Sequence, residues 1–185
     1  LNNLGDTLRQ AHEYARAREV LETGLQFAEE RGLVLRVQNF RLCLGVLLLD
    51  SGQFAASRPA LEQALAGTRH HGQFQMELLC LLRLAKQDRL EGDAPACLRR
   101  CREVLIRARP RGFDDLVRQA LYEHASLHRE HGDGDYGLRL LALLEADPKL
   151  TMTSRRHARM DREADEADER GDVVAGGILP HGGVD

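Results

Sequence analysis

The sequence predicts an all-α fold: a right-handed α-solenoid of about four helix pairs, followed by a C-terminal capping helix. Residue classes recur every forty residues along most of the chain, which is typical of stacked repeats. Good helix formers such as Leu, Ala, Arg and Glu are abundant, while aromatic residues reach only 4%. Amphipathic stretches of helical period alternate with short turns, so each repeat is predicted to be a pair of helices.

Glycines and other small residues mark the repeat. One glycine set is predicted to end each pair, where a positive φ is needed: Gly32, Gly72 and Gly112. A second set occupies the turn inside each pair, with a histidine at the first equivalent position: His12, Gly52, Gly92 and Gly132. Small residues recur where the two helices face each other: Gly5, Gly45, Ala85 and Ala125, and Ala17, Ser57, Cys97 and Gly137. Since one pair cannot bury its apolar face alone, neighbouring pairs must stack.

The recurrences predict a repeat region over residues 1–150, divided into units 1–32, 33–72, 73–112 and 113–150. A capping helix is predicted over 151–170, where Thr151 or Thr153 would be its N-cap. The Gly-rich residues 171–185 are predicted to form a flexible tail. Because Leu1 falls in the middle of the pattern, we expect the chain to be a piece of a larger protein.

Charge and cysteine content narrow the classes of function. Residues 1–150 carry 21 Lys+Arg and 21 Asp+Glu, so the net charge of −3 comes from the remaining residues, and no dedicated nucleic-acid domain is predicted. The four cysteines lie in apolar helical patterns and predict reduced thiols in a cytoplasmic protein. The longest apolar stretch, Leu42 to Leu49, is too short to span a bilayer.

The pattern inside each unit resembles the tetratricopeptide repeat family. The first unit carries Leu4-Gly5, Tyr14, Ala17 and Leu21 at the family's signature spacings. The second carries Leu44-Gly45, Phe54, Ser57, Leu61 and Ala64, and the third keeps Leu84-Ala85, Cys97, Cys101 and Val104. In the fourth, His124 replaces the leucine and Gly134 the aromatic residue. The resemblance implies a non-enzymatic scaffold without a cofactor, which binds a peptide or protein segment in its concave groove.

The long repeat unit is similar to those at the C-terminus of large bacterial signal-transduction ATPases and LuxR-type transcriptional regulators. The phrase from Gly52 to Leu61 carries this similarity, as does the phrase from Leu138 to Leu144. It implies an alternative function, a regulatory arm that controls the oligomerisation or activity of other domains of its parent chain. Of the 26 basic residues, 24 are Arg, which is typical of a GC-rich bacterial genome.

The family's groove positions, mapped onto this chain, select candidate partner-binding residues on the first helix of each pair: Asn39, Leu42, Val46, Leu49, Arg83, Lys86, Arg89, Tyr122 and Arg129, with Asn2, Asp6, Arg9, Gln119 and Ser126 beside them. Residues 83–111 contain nine Arg/Lys and four Asp/Glu, a net of +5. This basic stretch predicts an acidic or carboxylate-bearing partner segment. The alternative is a solvated helix face without a partner.

The apolar run from Leu42 to Leu49 covers almost every side of its helix. Such a helix is usually buried on all sides. In an open solenoid, one side of it should face the groove, where a ligand, a neighbouring domain or self-association would cover it. Packing in the middle of the stack is the simpler interpretation, and both remain open at this point.

Three residue groups resemble chemical sites but are assigned to packing or to the helix surface. Cys97 and Cys101 share a helix face, yet both fall on core positions. His124 and His128 also share a face, but one helical pair of histidines is a weak metal site. The calcium-loop opening Asp133-Gly134-Asp135 has Leu144 at its twelfth position instead of Glu. No metal, cofactor or catalytic residue is predicted.

Overall fold

The computed structural model describes residues 1–132 and 134–146. Over these residues the chain forms eight α-helices and no strand, which confirms the predicted all-α helical-repeat fold. In chain order the helices are α1 Asn2–Gln10, α2 Tyr14–Glu30, α3 Val34–Asp50, α4 Phe54–His70, α5 Phe74–Leu90, α6 Ala94–Ala108, α7 Asp114–His131 and α8 Gly134–Ala146. A 3-10 turn over Arg109–Arg111 precedes α7.

The turns between helices use the left-handed region of backbone space. Five glycines adopt φ between 61° and 81°, at Gly32, Gly52, Gly72, Gly92 and Gly112. The positive φ predicted where each pair ends is therefore confirmed. His12 holds the same conformation, with a φ of 60°, at the position that glycine occupies in the next two repeats. Gly132, which follows the last residue of α7, departs from the series with a φ of −143°.

Small residues bring the two helices of a pair close together. A Cβ added to Gly45 on α3 would lie 2.6 Å from a methyl carbon of Leu61 on α4. The Ser57 hydroxyl donates to the Gly45 carbonyl oxygen at 2.8 Å, and both residues are buried. A larger side chain at Gly45 would therefore require Leu61 to move or α4 to shift away.

Stacking of the pairs forms the core. In the middle of the stack, α4 and α6 pack on α5, and the largest cluster is built mainly of leucines: Leu42, Leu61, Leu65, Leu78, Leu81, Leu82 and Leu84. Within the apolar run from Leu42 to Leu49, every residue is buried or half-buried. Core packing in the stack thus accounts for most of this run, and no fully exposed apolar side needs to be covered.

The odd-numbered helices lie on the inner side of the stack. Helix α3 contacts α1 and α5 directly, and α5 also contacts α7. Direct contacts between successive even-numbered helices are sparser over the described residues. The stack therefore curves towards α1, α3, α5 and α7, which line its concave face, while α2, α4, α6 and α8 form the outer face.

Several predicted features lie outside the described residues: the capping helix 151–170, the tail 171–185 and Asp133 of the rejected calcium loop. All four cysteines are free. Cys97 and Cys101 are at most 1% exposed on α6, in agreement with their predicted packing role. None of the helices in the described ranges is both long and apolar enough to cross a membrane.

Candidate partner-binding groove

The concave face brings together the residues that the sequence assigns to a groove. All nine predicted binding residues lie on α3, α5 and α7. On α3 they are spaced three or four residues apart, so they share one face of the helix. The same face of α1 contributes Asp6 and Arg9.

A row of ion pairs crosses the groove from α1 to α5. Asp50, at the end of α3, accepts a hydrogen bond from the Lys86 ammonium at 3.0 Å and also pairs with Arg9. Burial alone would raise the pKa of Asp50, but the nearby charges of Lys86 and Arg9 hold it below the ordinary value of 3.8. Asp50 therefore stays ionised and pairs with two groove cations. Lys86 is thus already engaged by its own chain.

Arg89 is more deeply buried and forms ion pairs with two carboxylates on α7. Its Nε donates to Glu123 on α7 at 3.0 Å, and its Nη1 donates to Glu130 at 2.6 Å. The Arg89 side chain is only 7% exposed. Burial opposes its charge, yet the two carboxylates raise the pKa of Arg89 above its ordinary value. Arg89 therefore clamps α5 to α7 and offers no free charge to a ligand.

Arg83 differs from the other groove cations. It lies one helical turn before Lys86 on α5 and is half-buried. Over the described residues it forms no ion pair, and its hydrogen bond is a 3.4 Å contact from Nη2 to the amide oxygen of Gln119 on α7. Since N–H···O bonds usually measure about 2.7 to 3.2 Å, this contact is long. Arg129, by comparison, pairs with Glu130 at 2.9 Å.

The apolar lining of the groove is thinner than predicted. Leu42 and Leu49 are 7% and 2% exposed and belong to the core rather than to the surface. Val46 and Tyr122 are half-buried, and each leaves part of its side chain at the surface. Leu79 on α5, forty residues after Asn39, is also half-buried and adds an apolar contact that the sequence analysis did not assign.

A neutral patch lies beside Arg83. Cys43 on α3 donates from its thiol to the side-chain oxygen of Asn39 at 3.7 Å. Burial, with a smaller contribution from Asp6, raises the pKa of Cys43 to about 11, so the thiol stays protonated at neutral pH. Asn39 and Cys43 thus place uncharged polar groups near Arg83, and the nearby charges Asp6 and Arg9 are paired with each other.

The basic excess of residues 83–111 is divided between two faces. Three of its nine basic residues lie on α5 in the groove, namely Arg83, Lys86 and Arg89. The other six lie on α6 and the 3-10 turn, away from the concave face: Arg99, Arg100, Arg102, Arg107, Arg109 and Arg111. The expectation of one basic stripe in the groove is corrected accordingly, because alternate helices point to opposite faces.

Sequence reasoning missed the acidic partners Asp50, Glu123 and Glu130. A signal for them was present in the spacing. Asp50 and Lys86 are 36 residues apart, and Arg89 and Glu130 are 41 apart. In a stack with a forty-residue period, such offsets place two side chains on adjacent inner helices within about one turn of each other.

The histidine pair on α7 forms an aromatic cluster. The rings of His124 and His128 lie 4.7 Å apart, and Tyr136 on α8 packs edge-on to His128 at 5.1 Å. Within residues 1–132 and 134–146, no group of three His, Cys, Asp or Glu side chains is placed to hold a metal ion. The ring contacts join α7 to α8.

The fold of the described residues defines a class of protein, the helical-repeat proteins. Residues 1–31 match the family model of the tetratricopeptide repeat. This match spans the first predicted unit and supports a tetratricopeptide-repeat family, whose members are generally non-enzymatic protein-interaction scaffolds. No curated protein and no solved structure matches the chain.

Proposed function

We propose that this chain binds an acidic peptide or protein segment in its concave groove, with a partner carboxylate at Arg83. The observation that carries the proposal is the state of the groove cations. Lys86 and Arg89 already have carboxylate partners, whereas Arg83 has none over the described residues. An incoming carboxylate would replace only the long contact to Gln119 and would form a charge-assisted hydrogen bond.

Apolar side chains of the partner would occupy the surface beside Arg83. Val46 and Leu79 are half-buried on adjacent inner helices, and Tyr122 on α7 is exposed to a similar degree. A segment with a carboxylate next to one or two aliphatic residues fits this lining best. The groove has few charges left to offer, so we expect moderate affinity and a requirement for the carboxylate.

Selection from a displayed library of random peptides, followed by fluorescence anisotropy with a selected peptide, tests the proposal. Acidic peptides should be enriched, and Arg83→Glu should weaken their binding by about tenfold or more, because one close charge pair becomes repulsive. Arg83→Lys should retain part of the affinity. Arg16→Glu, which changes the net charge equally at an exposed position on the outer helix α2, is the matched control. Enrichment of peptides without acidic residues, or unchanged binding by Arg83→Glu, would contradict the proposal.

The forty-residue repeat favours a second function, a regulatory arm of a larger bacterial ATPase that controls transcription. In that setting the groove would bind another domain of the same parent protein. The four free cysteines support a reducing, cytoplasmic location for either function. Comparison of the ATPase rate of the parent gene product with and without residues 1–146 tests this alternative. A parent protein without an ATPase domain, or with an unchanged rate, would exclude it.

A further inference from the structure

The outer faces of α2 and α6 carry opposite charges at matching positions. On α2 the exposed stripe is mainly acidic: Glu19, Glu22, Gln26 and Glu29. The stripe at the same places, 80 residues later, is mainly basic: Arg99, Arg102 and Ile106 on α6, and Arg109 at the start of the 3-10 turn. The spacing of three and four residues keeps the members that lie on one helix on one side of it. We refer to these as the acidic stripe and the basic stripe.

The arginines of the basic stripe are available to form ion pairs with another molecule. Over the described residues, none of its three arginines forms an ion pair with a carboxylate. The arginines on the inward sides of α6 are different, because Arg100 pairs with Asp88 at 2.7 Å and Arg107 pairs with Glu77 at 2.7 Å. The uncommitted charge of α6 therefore points away from the stack.

The acidic stripe is only loosely engaged. Glu19 forms no ion pair in the described part of the chain. Glu22 pairs with Arg18 on its own helix and Glu29 pairs with Arg41, but both carboxylate side chains are about half exposed, at 52% and 48%. Exposed pairs of this kind contribute little to stability, so they can exchange for other partners at small cost.

Helix α4 separates the two stripes and is almost neutral on its outer side. Its exposed side chains at the matching positions are Pro59, Glu62, Ala66 and Arg69. The outer surface thus changes from negative on α2, through balanced and small residues on α4, to positive on α6. A surface with this order of charges is complementary to the same surface of a second copy that is rotated by 180°.

We propose that this outer face binds a second copy of the chain as a symmetric dimer. A twofold axis that runs along α4 and parallel to it places α2 of each copy opposite α6 of the other, with the helices in the same direction. Residues 80 apart then face each other, so Glu19 meets Arg99 of the second copy and Glu22 meets its Arg102. A twofold axis across the helices would instead place α2 on α2, where like charges repel.

The apolar residues of the basic stripe fit the same arrangement. Ile106 is 61% exposed and Leu98, one position before the stripe, is 37% exposed. In the dimer Ile106 faces the aliphatic part of Gln26. On the axis each outer residue of α4 meets its own counterpart: Pro59 and Ala66 are uncharged, Arg69 already pairs with Glu77 and Glu103, and the like-charge contact of Glu62 with Glu62 must be outweighed by the pairs between the stripes. The interface thus combines a small apolar contact with charge pairs that occur twice by symmetry.

Sedimentation equilibrium of the chain in low and high salt tests the dimer. A dimer is expected at about 20 mM salt, weakening at about 500 mM because the exposed pairs are screened. Two variants reverse one stripe each: Arg99→Glu with Arg102→Glu, and Glu19→Arg with Glu22→Arg. Each should dimerise at least about tenfold more weakly, because every reversal counts twice in the symmetric interface.

An equimolar mixture of the two reversed variants gives the sharpest result. One variant is acidic on both stripes and the other basic on both, so together they should form a heterodimer although each alone is monomeric. The control Arg31→Glu with Arg36→Glu makes the same charge change at exposed positions outside the stripes and should still dimerise. A native chain that is monomeric at about 100 µM in low salt, reversed variants that dimerise normally, or a mixture that stays monomeric would each overturn the proposal.

Discussion

The guanidinium of Arg89 on α5 and the carboxylate of Glu123 on α7 meet at 3.0 Å, and their side chains are only 7% and 8% exposed. The pair joins two inner helices from consecutive repeats, so it holds α5 against α7 on the concave side. An exposed pair would contribute little, but a buried charge that loses its partner is costly.

Replacement of Glu123 by Ala should therefore destabilise the protein. Glu130 would remain beside Arg89, so we expect a loss near the lower end of the usual range, about 3 kcal/mol of unfolding free energy. Urea denaturation followed by circular dichroism measures it. The matched control is Glu22→Ala, which removes the exposed partner of Arg18 and should cost less than about 1 kcal/mol. Equal losses in both variants would show that the buried pair has no special role.

His12 is expected to be a strained position. It adopts a φ of 60° where the next two repeats have glycine, and its ring nitrogen Nδ1 hydrogen-bonds the Tyr14 hydroxyl at 2.8 Å at the surface. Relief of the left-handed conformation in His12→Gly should outweigh the added freedom of the unfolded chain and raise stability by roughly 0.5 kcal/mol. The reverse change Gly52→His should lower it. Thermal unfolding of both variants checks the prediction, and a less stable His12→Gly variant would contradict it.

Gly137 allows α8 to lie against α7. A Cβ at this position would lie 2.6 Å from the backbone nitrogen of Arg129 and 2.7 Å from the carbonyl oxygen of Ala125. Because backbone atoms cannot rotate away, Gly137→Ala should separate the two helices and cost about 1 to 3 kcal/mol. Amide hydrogen exchange should accelerate in α8 and remain unchanged in α2 and α4. An exchange rate in α8 of the variant that equals the rate in the native chain would contradict this close approach.

His124 should make stability depend on pH. It occupies the place of Leu4, Leu44 and Leu84 in the earlier repeats. Burial, and then the charge of His128, lower its pKa below the ordinary value of 6.5. The folded state therefore binds a proton less readily than the unfolded state, and stability is lost as the pH falls below about 6.5.

The variant His124→Leu isolates this effect. Its stability should exceed that of the native chain, and the difference should grow between pH 7 and pH 5 because leucine cannot be protonated. Urea denaturation at several pH values measures the difference. A constant difference across this range would contradict the lowered pKa of His124.

The architecture could be predicted well because residues of similar size recur at equivalent packing positions in each unit. Gly45 and Ser57 could be assigned to a close approach from their recurrence alone, and their contact is present. The fourth unit was harder, since Gly132 keeps the residue type of the series but not its left-handed conformation. Glycine permits the left-handed conformation there without requiring it.

The groove was predicted less completely than the fold. The inner position of Arg83, Lys86 and Arg89 follows from the repeat, but their charge state depends on carboxylates in neighbouring units. Asp50 and Glu123 lie 34 to 36 residues from their partners, and charge counting along a segment does not reveal such pairs. Repeat offset narrows the choice of carboxylates but does not assign them, because Glu123 lies 40 residues from Arg83 and 34 from Arg89, and in the structure it pairs with Arg89.

Hydrogen–deuterium exchange of the chain with and without a selected acidic peptide tests the central claim most directly. If the concave groove is the binding face, peptide binding should slow exchange in α3, α5 and α7, most strongly around Arg83 and Val46, and leave α2, α4 and α6 unchanged. The Arg83→Glu variant should show no slowing at the same peptide concentration. Slower exchange confined to the even-numbered helices would place the partner on the outer face and contradict the proposed function.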